Sequence, residues 1–215
     1  MRVVRMHFKR EFFNRAACSL RPPPHHHHHH HHHHQHRTRF DAKASRVVTA
    51  LSKDDFDFAL LHVKAVDDTG HDRAPHLKLG YIEAVDVMVG QLLQGLWGAR
   101  GRCTVVLAAD HSTPVVFGDH SHEPVPVAVA DVAHVVECVG EDVLRGVCMG
   151  AIAHPEDGGV EGLRAAAARP RDVGVAVAVW DPVSCYDEVS AARGALGRFP
   201  GSELMPLLRR LRRSD

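Results

Sequence analysis

The sequence AADHSTPVVFGDHSHEPVPV spans residues 108–127 and joins an apolar run to a loop rich in acids and imidazoles. The run before it, residues 104–109, predicts a buried strand. That strand ends abruptly at Asp110 and His111, and His120 follows shortly before a Pro-Val-Pro at 124–126. Ligands of open α/β sheets bind beyond the carboxyl ends of the strands. The stretch therefore predicts a strand whose polar end contributes to a site.

A second strand end has the same character. Residues 56–66, FDFALLHVKAV, form an apolar run of the kind that suits a strand buried in a parallel sheet, and DDTGHD follows at 67–72. Residues 77–97, between the two strands, predict an amphipathic helix. Its apolar stripe consists of Ile82, Val85, Val89, Leu92 and Leu96. The order strand, helix, strand predicts a right-handed crossover and an α/β fold in which the two strands are parallel neighbours.

Neighbouring parallel strands would bring both polar ends to one rim of the sheet. Asp67 and His71 are four residues apart around Gly70, where we expect a tight turn, and Asp110, His111 and His120 follow the other strand. Mixed oxygen and nitrogen ligands suit Mn²⁺, Zn²⁺ or, less well, Mg²⁺. Two such sets close together would form a two-metal site for phosphoryl transfer. By spacing alone, helix caps and a polar loop remain equal alternatives.

Composition excludes some classes of function. The chain has 215 residues, enough for one good-sized domain, and its 26 Lys and Arg balance 26 Asp and Glu. This balance gives no electrostatic signal for nucleic acid or a membrane surface. The apolar stretches fall short of the roughly 20 residues of a spanning helix. The five cysteines lack a Cys-x-x-Cys pair, which favours free thiols in a reducing compartment.

Residues 1–37 form a basic and His-rich leader. It contains the run His25–His34 and a single acid, Glu11, and we expect it to be disordered because it offers no apolar face to bury. Its Arg-rich start loosely resembles a mitochondrial presequence, and a leader without function is the alternative. The density of imidazoles predicts weak binding of transition metals without a shaped site.

Other segments carry weaker patterns. Residues 41–51 and 204–213 predict helices, and 125–130 a short strand. Residues 162–170 resemble a helix, and 174–180 a strand.

Several motifs together resemble the archaeal-type cofactor-independent phosphoglycerate mutases, members of the alkaline phosphatase superfamily. The motifs are FDAKA (40–44), HVKAVDDTGHD (62–72), KLGYIEAVD (78–86), ADHSTP (109–114), HSHEPVPV (120–127) and YDEVSAARGALGRFPGSELMPLL (186–208). The resemblance covers about residues 38–130 and 184–212. It implies an alkaline-phosphatase-like fold, in which a mostly parallel sheet is flanked by helices. Residues 38–215 are then the C-terminal part of the metal-binding domain.

The resemblance also implies chemistry. The family interconverts 3-phosphoglycerate and 2-phosphoglycerate in glycolysis, through a phosphoserine and two divalent metals, which implies a cytoplasmic enzyme with Mn²⁺ as the first expectation. Asp67, His71 and His120 resemble the ligands of one metal, and Asp110 and His111 those of the second. The family's spacing to Pro-Val-Pro favours His120 over His122. Lys64 and Asp72 belong only to the neighbourhood of the site.

The sequence also departs from the family. The segment that carries the nucleophilic serine has no counterpart, and Ser19, Ser45, Ser52 and Ser112 all lack its motif. Between Val127 and Tyr186 the chain has more sequence than the family needs, which indicates either an insertion around residues 131–183 or a stretch that was not spliced out. We therefore expect the chain alone to be inactive. The alternatives are another phosphohydrolase of the superfamily, or a non-catalytic metal-binding fragment.

Overall fold

The computed structural model describes residues 3–6, 37–53, 56–157, 183 and 186–211. The strands are β1 (Val3–Met6), β2 (Phe58–Leu61), β3 (Thr104–Ala108) and β4 (Val127–Asp131). The first five α-helices are α1 (Phe40–Ser52), α2 (Ala65–His71), α3 (Pro75–Gly95), α4 (Val132–Val139) and α5 (Glu141–Arg145). Two further α-helices span Glu188–Ala191 and Leu204–Leu211, and 3₁₀ turns span Trp97–Arg102, Pro155–Asp157 and Gly201–Glu203.

The described strands form two separate pairs. β1 and β2 are parallel, and β3 and β4 are antiparallel with Thr104 opposite Asp131. The prediction that 56–66 and 104–109 are neighbouring parallel strands is therefore wrong. β2 takes its parallel partner from the leader, whose residues 3–6 form a strand where we expected disorder. The loop after β3 turns the chain back, so β4 runs antiparallel to β3.

Helix α3 organises the core. Its buried residues Tyr81, Ala84 and Met88 pack against Phe40 and Ala44 of α1. These residues repeat every three or four positions, as one face of a helix requires. The predicted stripe is displaced by about one residue, since Ile82 is 48% exposed. The extent of α3 nevertheless agrees well with the predicted 77–97.

A second apolar cluster joins α4 and α5 to the other end of α3. It contains Leu93, Val132, Val136 and Leu144. The buried side chain of Gln91 donates to the carbonyls of Cys148 and Gly150, both at 2.8 Å. Described residues of the expected insertion, from 132 to 157, thus belong to the same packed body as α3.

The remaining predictions have mixed outcomes. The helix predicted at 41–51 is confirmed as α1, and the helix predicted at 204–213 is observed over Leu204–Leu211. The predicted strands 56–66 and 125–130 correspond to β2 and β4 with shifted ends. The helix predicted at 162–170 and the strand at 174–180 lie outside the described residues. In the described ranges, no helix has the length and apolarity that crossing a membrane requires.

Candidate metal centre

Helix α2 presents Asp67 and His71 on one face. The helix begins at Ala65, where the predicted strand was expected to continue, and residues four apart on a helix are neighbours. The Oδ1 atom of Asp67 lies 3.4 Å from Nε2 of His71. The two side chains thus converge through a helical turn, and the tight turn expected at Gly70 is not observed.

The loop between β3 and β4 brings two further imidazoles to this face. Its arms meet at an antiparallel bridge between Ser112 and Ser121, with the Ser121 N–H donating to the Ser112 carbonyl at 3.0 Å. The bridge sets His111 beside His120, whose ring centroids are 3.7 Å apart. The loop therefore delivers both histidines to the same place, although nine positions separate them.

His120 completes a triangle with the two residues of α2. Its Nε2 lies 3.1 Å from Nε2 of His71 and 3.6 Å from Oδ1 of Asp67. Two ligand atoms about 2.05 Å from a tetrahedral ion lie about 3.3 Å apart. All three sides of the triangle are close to that length, so Asp67, His71 and His120 have the spacing of ligands around one ion.

His111 overlaps with this set. Asp67, His111 and His120 each offer a ligand atom within 4.8 Å of the other two. Asp67 and His120 are thus common to both groupings, and the four side chains form one cluster rather than two distant ones. A cluster of one carboxylate and three imidazoles suits a divalent transition metal better than Mg²⁺.

Two of the clustered histidines, His71 and His111, have a partner at Nδ1. Nδ1 of His71 lies 3.2 Å from the carbonyl of Gly118, and Nδ1 of His111 lies 3.3 Å from the Thr113 hydroxyl. A hydrogen bond at one ring nitrogen fixes the tautomer that leaves the lone pair on the other. This arrangement directs Nε2 of His71 into the cluster, as a metal ligand requires.

Asp67 is held as a carboxylate. Its Oδ2 accepts from Lys64 Nζ at 2.7 Å, and its Oδ1 accepts from the Thr113 hydroxyl at 2.5 Å. Burial raises the pKa of the Asp67 carboxyl, but the hydrogen bonds from Lys64 and Thr113 outweigh burial and bring the pKa to about 2. Lys64 also pairs with Asp68 at 2.9 Å. A charged, oriented oxygen is therefore available to a cation at neutral pH.

The other residues named from the sequence lie at the margin. The Asp110 side chain is 77% exposed, and its Oδ2 is 3.6 Å from Nε2 of His111. Asp72 caps the end of α2, next to His71. His122 is exposed and is not among the clustered residues. The structure thus brings together four of the five predicted ligands, with Asp110 beside them.

Sequence reasoning missed two residues that lie beside this cluster. Thr113 contacts Asp67 and His111, and the carbonyl of Thr113 accepts from Lys78 Nζ at 2.6 Å. Thr113 stands in the motif ADHSTP, which gave a signal for the loop but none for this side chain. Lys78 begins the motif KLGYIEAVD, but its position early in an amphipathic helix gave no sign that its side chain contacts the loop.

The chain matches a known family of metalloenzymes. Residues 29–147 match the family model described as the metalloenzyme superfamily, and the chain belongs to that superfamily. This membership agrees with the alkaline-phosphatase-like fold that the motifs predicted, even though the described strands form only small sheets.

Within this class the chain is similar to particular enzymes. It is 36% identical over 175 residues to a 2,3-bisphosphoglycerate-independent phosphoglycerate mutase from Methanopyrus kandleri, covering 81% of this chain and 30% of the relative. It is 37% identical over 168 residues to such a mutase, numbered 1, from Archaeoglobus fulgidus, covering 78% and 29%. The chain thus spans about 30% of the length of these relatives.

The chain is also similar to a solved structure. The structure of the PH0037 protein from Pyrococcus horikoshii superimposes with a TM-score of 0.56 and 28% identity, covering 83% of this chain and 34% of that one. The similarity therefore extends over most of this chain in three dimensions.

Proposed function

We propose that the chain is the metal-binding part of a cofactor-independent phosphoglycerate mutase, acting on 3-phosphoglycerate and 2-phosphoglycerate in the cytoplasm. The observation that carries the proposal is the convergence of Asp67, His71, His111 and His120 on one cluster, in a chain similar to such mutases over 81% of its length. A bound divalent ion would account for the convergence of these ligand atoms from residues far apart in sequence.

Asp67, His71 and His120 are proposed to hold one divalent ion, and Asp110 with His111 to contribute to a second. Mn²⁺ is the proposed metal, on the resemblance to the mutases, and Zn²⁺ and Mg²⁺ are the alternatives. Bound divalent ions would lower the pKa of an attacking hydroxyl and neutralise charge on the transferring phosphoryl group. The chain's own residues contribute the orientation: Lys64 and Thr113 fix the Asp67 carboxylate, and the Gly118 carbonyl fixes His71.

Metal binding is the first test. The His25–His34 run would bind metal as well, so its histidines should be replaced by glutamine. Deleting residues 1–36 is the poorer choice, because β1 pairs with β2. In this glutamine background we expect calorimetry to show tight Mn²⁺ binding that His71→Ala abolishes. A background chain that binds no Mn²⁺ contradicts the proposal.

The substrate requires a second test, because the chain covers about a third of its relatives. The aligned 175-residue region of the Methanopyrus kandleri mutase can be replaced by that of this chain. We expect the chimera to convert 3-phosphoglycerate to 2-phosphoglycerate with Mn²⁺, and to lose this activity in His71→Ala. Release of phosphate without isomerisation favours another phosphohydrolase of the superfamily. A folded, metal-loaded chimera with neither activity favours a non-catalytic metal-binding role.

A further inference from the structure

Helix α2 and the loop after β3 approach each other closely at Gly70. A Cβ atom on Gly70 would lie 2.5 Å from the carbonyl oxygen of Thr113 and 2.9 Å from its Cγ2. Contacts this short do not occur for a real side chain, so the approach requires glycine. Gly70 lies between Asp67 and His71 on α2, and Thr113 lies two residues after His111. The contact therefore sets the distance between the two segments that carry the clustered side chains.

Lys78 holds this contact from the side of α3. Its Nζ donates to the Thr113 carbonyl at 2.6 Å and would lie 3.0 Å from a Cβ on Gly70. Burial lowers the pKa of the Lys78 amine, while the negative charges of Asp67 and Glu188 oppose that shift. Partial burial of a cation costs free energy unless it finds partners. The Thr113 carbonyl is such a partner, and the contact offsets part of the free-energy cost of burying the Lys78 amine.

The Thr113 hydroxyl contacts one clustered side chain on α2 and one on the loop. Its side chain is nearly fully buried, at 5% exposure, and its hydroxyl lies 2.5 Å from Oδ1 of Asp67 and 3.3 Å from Nδ1 of His111. A hydroxyl has one proton to donate and lone pairs to accept. It can donate to the carboxylate and accept from the imidazole, which leaves the His111 Nε2 lone pair available.

We propose that Lys78 and Thr113 are positioning residues of the metal centre: Lys78 fixes the Thr113 carbonyl against Gly70, and the Thr113 hydroxyl orients Asp67 and His111 for an ion. The inference rests on the metal binding proposed above and extends it to two residues that touch no ion themselves. Residues of this kind typically change metal affinity by about 10- to 100-fold when they are altered.

The experiment uses the full chain in the glutamine background. Lys78→Met removes the donor and keeps the aliphatic stem, Thr113→Val removes the hydroxyl, and Thr113→Ser retains it.

Lys43→Met is the matched control, since Lys43 is also partly buried and donates to the His62 carbonyl at 2.7 Å. Thr49→Val is the second control, because the Thr49 hydroxyl donates to Ser45 within α1 at 2.8 Å. Each variant is titrated with Mn²⁺, its Co²⁺ absorption spectrum is recorded, and the metal-free chain is melted.

We expect Lys78→Met and Thr113→Val to lose about 10- to 100-fold in Mn²⁺ affinity and to alter the Co²⁺ spectrum, with Thr113→Ser and both controls close to the background chain. Folded variants at Lys78 and Thr113 that bind Mn²⁺ within twofold of the background overturn the inference. A weaker affinity with an unchanged Co²⁺ spectrum and a lower melting temperature also overturns it, because that combination indicates a structural role only. If Thr113→Val fails to fold, the Mn²⁺ affinities and Co²⁺ spectra of Lys78→Met and Thr113→Ser test the inference. Absence of Mn²⁺ binding in the background chain instead contradicts the proposed function.

Discussion

The Nε2 atoms of His71 and His120 lie 3.1 Å apart, although 49 positions separate the two residues in the chain. His71 comes from a helix and His120 from the far arm of a loop, so no local preference explains their approach. The Asp67 carboxylate lies within 3.6 Å of both nitrogens. A carboxylate beside two imidazoles forms a ligand set that suits a divalent metal ion.

His120 has a natural control two residues away. His122 belongs to the same loop and has the same side chain, but it is exposed and outside the cluster. We expect His120→Ala to abolish tight Mn²⁺ binding in the glutamine background and His122→Ala to leave it within about twofold, because only His120 has the spacing of a ligand. Calorimetric titration of both variants measures this difference. Equal losses would show that the loop binds metal through a different histidine arrangement.

Gly70 should tolerate no side chain. In Gly70→Ala the new methyl group would meet the Thr113 carbonyl at 2.5 Å, and relieving that overlap moves the loop away from α2. We expect a loss of about 1–3 kcal/mol in the free energy of unfolding, measured with urea, together with weaker Mn²⁺ binding. Gly98→Ala is the control, since nothing lies within 4 Å of a Cβ at that position. A Gly70→Ala chain as stable as Gly98→Ala would contradict the close approach.

The acid sensitivity of the metal-free chain should depend on Asp67. Its pKa in the folded chain is about 2, below the ordinary 3.8, so the folded state binds fewer protons than the unfolded state between these values. The stabilisation is therefore present above about pH 4 and is lost as the pH falls toward 2. Urea unfolding at pH 5 and pH 3 should show a smaller pH dependence in Asp67→Asn than in the background chain. An identical dependence in both would mean that other carboxylates account for it.

The sequence was most informative where chemistry and spacing coincide. The sequence predicts Asp67, His71 and His111 as candidate ligands because acids and imidazoles follow two apolar runs, and the family's spacing to Pro-Val-Pro adds His120. Which of these four residues would share one ion is harder to predict from the sequence. It depends on how the loop after β3 folds back through the Ser112–Ser121 bridge, and that bridge has no sequence signature.

Other features depend on contacts that no periodicity reports. The run 56–66 is strand-like throughout, yet the chain enters α2 at Ala65, where acids in the first helical turn are favourable. The buried stripe of α3 follows Tyr81 rather than Ile82, because polar partners from 154–156 satisfy the Tyr81 hydroxyl inside the core. The paired strands β1 and β2 are more than 50 residues apart in the chain. The basic, His-rich composition of the leader predicted disorder and gave no signal for β1.

Tyr81 gives a test of how firmly residues 154–156 belong to the core. Its fully buried hydroxyl lies 3.2 Å from both His154 Nε2 and Glu156 Oε1. Tyr81→Phe leaves those two groups without this partner, and we expect a loss of about 1–3 kcal/mol in the free energy of unfolding. Tyr186→Phe is the control, since Tyr186 is half exposed and donates to the Pro126 carbonyl. Urea titrations that give equal losses would indicate that 154–156 is only loosely attached.

Substitutions at Asp110 and His111 should distinguish the two proposed metal ions. Asp110 is 77% exposed and approaches the cluster only through His111, whereas His111 lies within ligand distance of Asp67 and His120. We therefore expect two phases of Mn²⁺ binding in the glutamine background, with Asp110→Ala removing only the weaker one. His111→Ala should remove the weaker phase and also reduce the affinity of the tight one, because its ring packs against His120 at 3.7 Å. Calorimetry of both variants distinguishes these outcomes, and Asp110→Asn tests charge at constant size. If Asp110→Ala weakened the tight phase as much as His111→Ala does, the carboxylate would be a ligand of the same ion and the division into two sites would be wrong.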